Sequence, residues 1–226
     1  MHVRRIDVMS DQLHRAQQNA PAKGDLQGLA EQLGPTDALT LLSPAISEQF
    51  QRIDTVADLR QFLTTYREER LFRHELPVIL KAYQHGARNE ARELIALDKT
   101  LSSDETIRSL ASASRHVGRS QLNRLRPMKD VRLVQKYLSA VESSEANGWH
   151  TVVYGVVLSL FSLPLRQGLV NYVFQTIQAF VHSASRRIGL SELDCQQLIA
   201  EITSSVATAI ERILEANSPT VLRLTE

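Results

Sequence analysis

The chain reads as an all-α protein, a single bundle of about ten helices, and three observations predict it. Apolar residues recur at steps of three and four through most of its 226 residues, the spacing of one helix face. No stretch alternates apolar and polar residues between turn signals, as a strand would. And from Trp149 to Ser185 the only formal charge is Arg166. Exposing that much apolar surface costs about 25 cal/mol per Å², so the stretch belongs in the core.

Each element follows from local signals. Residues 1–24, with Asn19-Ala20-Pro21-Ala22-Lys23-Gly24, read as a flexible leader. Asp25 can cap a short helix that Gly34-Pro35 stops. Thr36 or Asp37 can cap another, apolar at Leu39, Leu41 and Leu42 and closed by Ser43-Pro44. Thr55 and its neighbours start a longer helix with the stripe Val56, Leu59, Phe62, Leu63 and Tyr66. Pro77 is expected to break or kink it; Val78, Ile79, Ala82 and Tyr83 resume it, and His85-Gly86-Ala87 reads as a turn. Asn89 to Leu97 is again helical. Ser103-Asp104-Glu105-Thr106 opens a helix that runs to Arg126-Pro127, and Val131 to Val141 form one that stops near Asn147-Gly148. The apolar segment holds two helices split by Ser162-Leu163-Pro164, the second ended by Gly189. Leu193 to Leu214 make a last helix before Asn217-Ser218-Pro219. The helical domain thus spans 25–217, and 218–226 form a tail.

Composition narrows the function classes. Lys and Arg total 26 against 25 carboxylates, for a net charge of +1. That balance gives no whole-molecule attraction to nucleic acid or an anionic membrane. Aromatic residues at 5% supply little for base stacking. Cys195 is the single cysteine, so no intrachain disulfide forms, and a reducing compartment fits. The N-terminus lacks an apolar signal core. Pro164 and the polar residues Gln167, Asn171, Gln175, Gln178 and His182 argue against a membrane span. A cytoplasmic location is expected.

Reaction chemistry leaves no template in the chain. There is no phosphate-binding glycine loop, no nucleophile elbow and no paired-histidine metal motif. The seven histidines are scattered, with no two at helical spacing, so no cofactor or metal ligand set is assigned. Most carboxylates lie on faces rich in Arg or Lys and read as solvated charges. The strongest charged feature is basic: Arg115, Arg119, Arg124, Arg126, Lys129, Arg132 and Lys136, interleaved with Leu122, Leu125, Met128, Val131 and Val134. It is either the ordinary outer face of a helix pair or a surface for an acidic protein or RNA.

Several blocks resemble one family. Trp149-His150-Thr151-Val152-Val153-Tyr154-Gly155-Val156-Val157 is similar to the His-x-x-x-x-Gly-Val block of the urease accessory protein UreF family. Leu163-Pro164-Leu165 through Tyr172 resembles its Ile-Pro-Leu-x-x-Ala-Leu-x-x-Tyr continuation. Arg186-Arg187-Ile188-Gly189-Leu190-Ser191, followed by Cys195-Gln196-Gln197-Leu198, resembles its basic-x-Val-Pro-Leu-Gly…Gln-x-Leu-Leu segment. Asp54 to Pro77 fits upstream, and Leu110, Arg115 and Gly118 match a further helix in part. Leu222-Arg223-Leu224 resembles the family's Arg-Leu ending. The resemblance covers roughly residues 50–214. It departs at the family's N-terminal Pro-x-Gly…Gly-Leu-Glu block: ungapped placement sets Pro35-Thr36-Asp37 and Pro44-Ala45-Ile46 there, without the glycines and the glutamate, and the alternative, in which Leu42-Ser43-Pro44-Ala45-Ile46 resembles the Ser-Pro-Ala-Leu before the block, implies a deletion.

The resemblance implies a non-enzymatic all-α scaffold, a chaperone of nickel insertion. Such a protein binds the accessory protein UreD, also called UreH, and recruits the GTPase UreG to apo-urease. It works as a homodimer and contacts neither nucleic acid nor membrane. The candidate interface residues are Arg115, Gly118, His150, Tyr154, Tyr172, Phe174, Arg186, Arg187 and Arg223. His150 and Tyr154 face either a dimer seam or the core. Arg186 and Arg187 serve either a partner or the C-terminal end of their own helix. The alternative role is a helical adaptor or regulator that kept the fold and lost the urease work.

Overall fold

In the computed structural model the structure describes residues 41–42, 44–103 and 111–217. The leader over 1–24, the helices expected over 25–40, the helix start at Asp104–Thr106, the tail 218–226 and Arg223 lie outside the described residues. Among those residues there is no strand, and the all-α expectation holds. The order is α1 (Pro44–Gln51), α2 (Val56–Thr65), a π-helical segment (Tyr66–Glu75), α3 (Leu76–Ala87), α4 (Ala91–Leu101) and α5 (Ala111–Arg124). Then come α6 (Arg132–Glu142), α7 (His150–Leu160), α8 (Leu165–Ile188), α9 (Glu192–Thr203) and α10 (Val206–Ala216).

Several helix ends obey local chemistry. Thr55 caps α2 by accepting from the Asp58 N–H, and Ser191 and Asp194 form a reciprocal capping box on α9. Gly189 closes α8 with φ 70°, the left-handed conformation that glycine takes without penalty.

Three expectations are corrected. Pro77 does not break the run from Val56 to Ala87. It sits at the start of α3, where a missing N–H costs least, and the segment before it is wound as a π-helix in which the Leu76 N–H reaches Leu71 O. His85-Gly86-Ala87 is not a turn but the end of α3; the turn comes at Arg88–Asn89, where Asn89 has φ 57°. Gly86 packs closely on α7: a Cβ there would lie 2.2 Å from Ser159 Oγ and 3.1 Å from its Cβ. Finally, the last helix is two. Thr203 Oγ1 donates to Ile199 O and Ser204 Oγ to Glu201 O, side-chain bonds that compete with the helical ladder where α9 ends.

The core has two parts that share a wall. Tyr154 and Leu158 of α7, with Leu76 and Ile79 of α3, join a cluster built mainly from α1, α2, the π segment, α8, α9 and α10. Val152, Val153, Val156 and Val157 of α7, with Val78 and Ala82 of α3, join a second built from α4, α5 and α6. α7 is apolar all round because it is covered all round. It packs most heavily on α3 and then on α5. Gly155 permits this, since a Cβ would lie 2.4 Å from Ile79 O. No described helix is long and apolar enough to cross a membrane.

Candidate functional site

Two polar networks are buried along this wall, and the second holds two of the candidate interface residues, His150 and Tyr172. The first surrounds Asp98, fully buried near the end of α4. Its carboxylate accepts from Tyr137 Oη at 2.6 Å, from the backbone N–H groups of Asn147 at 2.5 Å, Gly148 at 3.0 Å and Trp149 at 3.3 Å, and from Asn147 Nδ2. Trp149 Nε1 returns a bond to Asp98 O. The carboxylate thereby fixes the turn that leads into α7. Burial and the neighbouring carboxylate push the Tyr137 hydroxyl well above its ordinary pKa.

The second network sits where the π segment, α5, α7 and α8 meet. Arg70 Nε donates to Glu75 Oε1 at 3.1 Å, and Tyr172 Oη donates to Glu75 Oε2 at 2.6 Å. Arg70 and Glu75 are both buried. In an α-helix residues five apart point to different sides; the wider π turn brings these two together. His150, at the start of α7, is 1% exposed. Its Nδ1 lies 3.0 Å from Gln121 Oε1, and its ring stacks on Tyr172 at 5.8 Å. Because Gln121 Oε1 only accepts, Nδ1 carries the proton and Nε2 is left as an acceptor. That Nε2 takes no hydrogen bond from the described residues. Desolvation pushes the His150 pKa down to about 4, so the ring is neutral at pH 7. Arg70, Glu75, His150, Trp149 and Tyr172 line a cavity of about 30 Å³, room for a water-sized molecule.

The remaining candidates divide between structure and surface. Gly118 is a contact point: a Cβ would lie 2.1 Å from Gly148 O, so only glycine lets α5 meet the turn held by Asp98. Arg115 reaches the same turn, with its guanidinium 5.6 Å from the Trp149 ring and a bond to Asn147 Oδ1 at 3.4 Å. Tyr154 Oη donates to Gly168 O at 3.0 Å. His150, Tyr154 and Tyr172 are therefore interior to a single chain and present no surface for a dimer seam; helix packing accounts for them. Phe174 is half-buried against the first cluster. Arg187 donates to Phe50 O at 2.8 Å and Ile53 O at 3.1 Å, clamping the end of α1 onto α8. Arg186 is exposed in the last turn of α8. Cys195 is a buried thiol, as expected.

Asp98, Arg70, Glu75 and Gln121 are the residues that sequence reasoning missed. Asp98 had a signal, since Leu94 and Leu101 flank it at helical spacing and place it on the apolar face of α4. The Arg70–Glu75 pair had none, because its spacing makes sense only in the π register. Among the described residues, no three His, Cys, Asp or Glu side chains form a group able to hold a metal ion.

Comparison with known proteins places this architecture. The family model UreF matches residues 53–203, from the turn before α2 to the end of α9. Three relatives are each named urease accessory protein UreF. That of Sporosarcina pasteurii is 24% identical over 168 residues, 71% of this chain and 83% of the relative. That of a Bacillus species is 20% identical over 67% of this chain and 66% of the relative. That of Actinobacillus pleuropneumoniae is 19% identical over 72% of each. With the match running through both buried networks and every helix of the shared wall, the chain belongs to the UreF family.

Proposed function

We propose that the protein is a urease accessory scaffold. In this reading it binds UreD (UreH), recruits the GTPase UreG, and helps load nickel, the cargo, into apo-urease. It acts in the cytoplasm as a homodimer and performs no chemistry of its own. The observation that carries the reading is the family match across residues 53–203. The physics is consistent with it. Buried polar side chains serve the fold: Asp98 holds a turn, and Glu75 is paired with Arg70 and bonded by Tyr172, while Arg187, on the surface, clamps α1. What is left for partners is surface, and a scaffold acts through differential affinity for states of its partners.

Of the candidate interface residues, Arg186 and the exposed edge of Phe174 on α8 stay available for partners or a second copy, and Arg223 in the C-terminal tail belongs to the same proposal. Arg115 and Gly118 serve by shaping the α5–α7 face. The test is co-expression with UreD and UreG of the same organism. Recovery of a complex on tagged UreD at micromolar concentration is the expected result; a folded chain that elutes alone contradicts it.

A second reading has one observation in its favour. The family match begins at residue 53, downstream of Pro35–Ile46, where the family's glycines and glutamate are missing. On that reading the chain is a helical adaptor that kept the fold and serves another assembly. Failure to restore urease in a strain lacking its own UreF, despite normal folding, favours it.

A further inference from the structure

We infer that α5, the loop after it and α6 form a docking face for an acidic protein surface. Between residues 111 and 138 the chain places seven cationic side chains against the single carboxylate of Asp130, in a molecule whose net charge is +1. Elsewhere Arg52 pairs with Glu48, Arg60 with Glu201, Arg73 with Glu69 and Arg166 with Glu211, while Arg88, Arg92, Arg186 and Arg212 are exposed and take no ion pair from the described residues; what sets this face apart is the density of its cations. On this face Arg126 pairs with the carboxylate of Glu142. Arg124, Lys129, Arg132 and Lys136 are exposed and take no ion pair from the described residues. Clustered like charge of this kind destabilises the isolated chain slightly and is relieved by a complementary partner.

The chemistry of the face favours protein over nucleic acid. The aromatic residues of this half, Tyr137 and Trp149, are buried at 0% and 2% exposure, so no ring is offered for base stacking. Beside α6, a groove mixes signs: Glu90, Arg92 and Glu93 of the α4 start face Arg132 and Lys136. A uniform polyanion is repelled by the two carboxylates. A protein surface fits when its carboxylates oppose Arg124, Lys129, Arg132 and Lys136 and a cation opposes Glu93. The partner is thus specified by a charge pattern. The inference deepens the scaffold reading, on which the docked protein is a member of the maturation assembly, but it stands on the charge distribution of this chain.

The experiment compares the full chain with Arg124→Glu/Arg132→Glu/Lys136→Glu and with a control, Arg52→Glu/Arg73→Glu, after circular dichroism shows that all three are folded. Purified UreD and UreG are titrated against each at 50 and 300 mM NaCl. In parallel, fluorescence anisotropy reads a labelled 20-residue peptide of glutamates with interspersed lysines and a 20-nucleotide oligouridine. The expected result is that one partner complex weakens at least tenfold in the triple variant and falls steeply with salt, while the control is unchanged. The peptide should bind the wild-type chain more tightly than the oligonucleotide and lose that binding in the triple variant. If both partners bind the triple variant as well as wild type, the docking face is wrong and the scaffold reading survives. If neither partner binds wild type, the scaffold reading fails and the peptide decides the face alone. Tighter binding of oligouridine, or no peptide binding, overturns the inference.

Discussion

The Asp98 network and the Glu75–His150 network lie on the same α3–α7 wall, yet they are built to different standards. Around Asp98 each carboxylate oxygen is used, and the donors come from α6 and three consecutive backbone groups. Around Glu75 the acceptors are also met, but His150 Nε2 beside them takes no bond from the described residues, and a cavity opens among the side chains. The first network is closed by protein groups alone; the second leaves room for a water-sized molecule beside a π-wound segment. The difference teaches that the turn before α7 is held by a fully bonded carboxylate, while the junction of the π segment with α7 and α8 packs around its polar groups less tightly.

Substitutions can break or sharpen that contrast. The largest effect is expected at Asp98. Asp98→Ala strands Tyr137 Oη and three backbone N–H groups, and should lower unfolding free energy by about 3–5 kcal/mol in urea titrations; a loss under 1 kcal/mol means the carboxylate does not hold the turn.

Next comes pH. His150 is buried neutral with its pKa pushed down to about 4, against 6.5 when unfolded. Its contribution is fully present above pH 6.5 and is lost as pH falls toward 4, because the unfolded chain then binds the proton more readily. Relative to His150→Gln, wild type should lose roughly 2–3 kcal/mol across that window; parallel pH profiles would refute the burial argument.

Gly118→Ala should cost about 2 kcal/mol by forcing α5 off the Gly148 carbonyl, read as a fall in melting temperature. Tyr172→Phe removes one donor from Glu75 and should cost about 1 kcal/mol, clearly less than Asp98→Ala, which strands four donors. The smallest effect is Arg186→Glu, within about 0.5 kcal/mol of wild type in stability because the residue is exposed. Its consequence should appear only in partner titrations.

Much of this architecture was legible in the chain. The charge-free stretch marked α7 and α8, Gly189 and Ser162-Leu163-Pro164 marked their ends, and the Val56 stripe marked α2. What escaped did so for physical reasons. Pro77 looks like a breaker until the π winding before it is known, and that winding is a tertiary choice that no 3.6-residue count reveals. His85-Gly86-Ala87 looks like a turn because glycine usually marks one; here Gly86 packs closely on Ser159. The family blocks located His150, Tyr154 and Tyr172 but not their role, since a buried packing residue and an interface residue carry the same letters. Asp98 sat in plain view between Leu94 and Leu101.

Nickel loading decides the central claim that this chain is a working UreF-type scaffold. A ureolytic strain deleted for its own UreF is supplied with this chain, expression and folding are verified, and nickel per urease is measured on the purified enzyme. The scaffold account predicts metal content restored toward that of the parent strain. Urease that remains nickel-free, despite abundant folded chain, would contradict it.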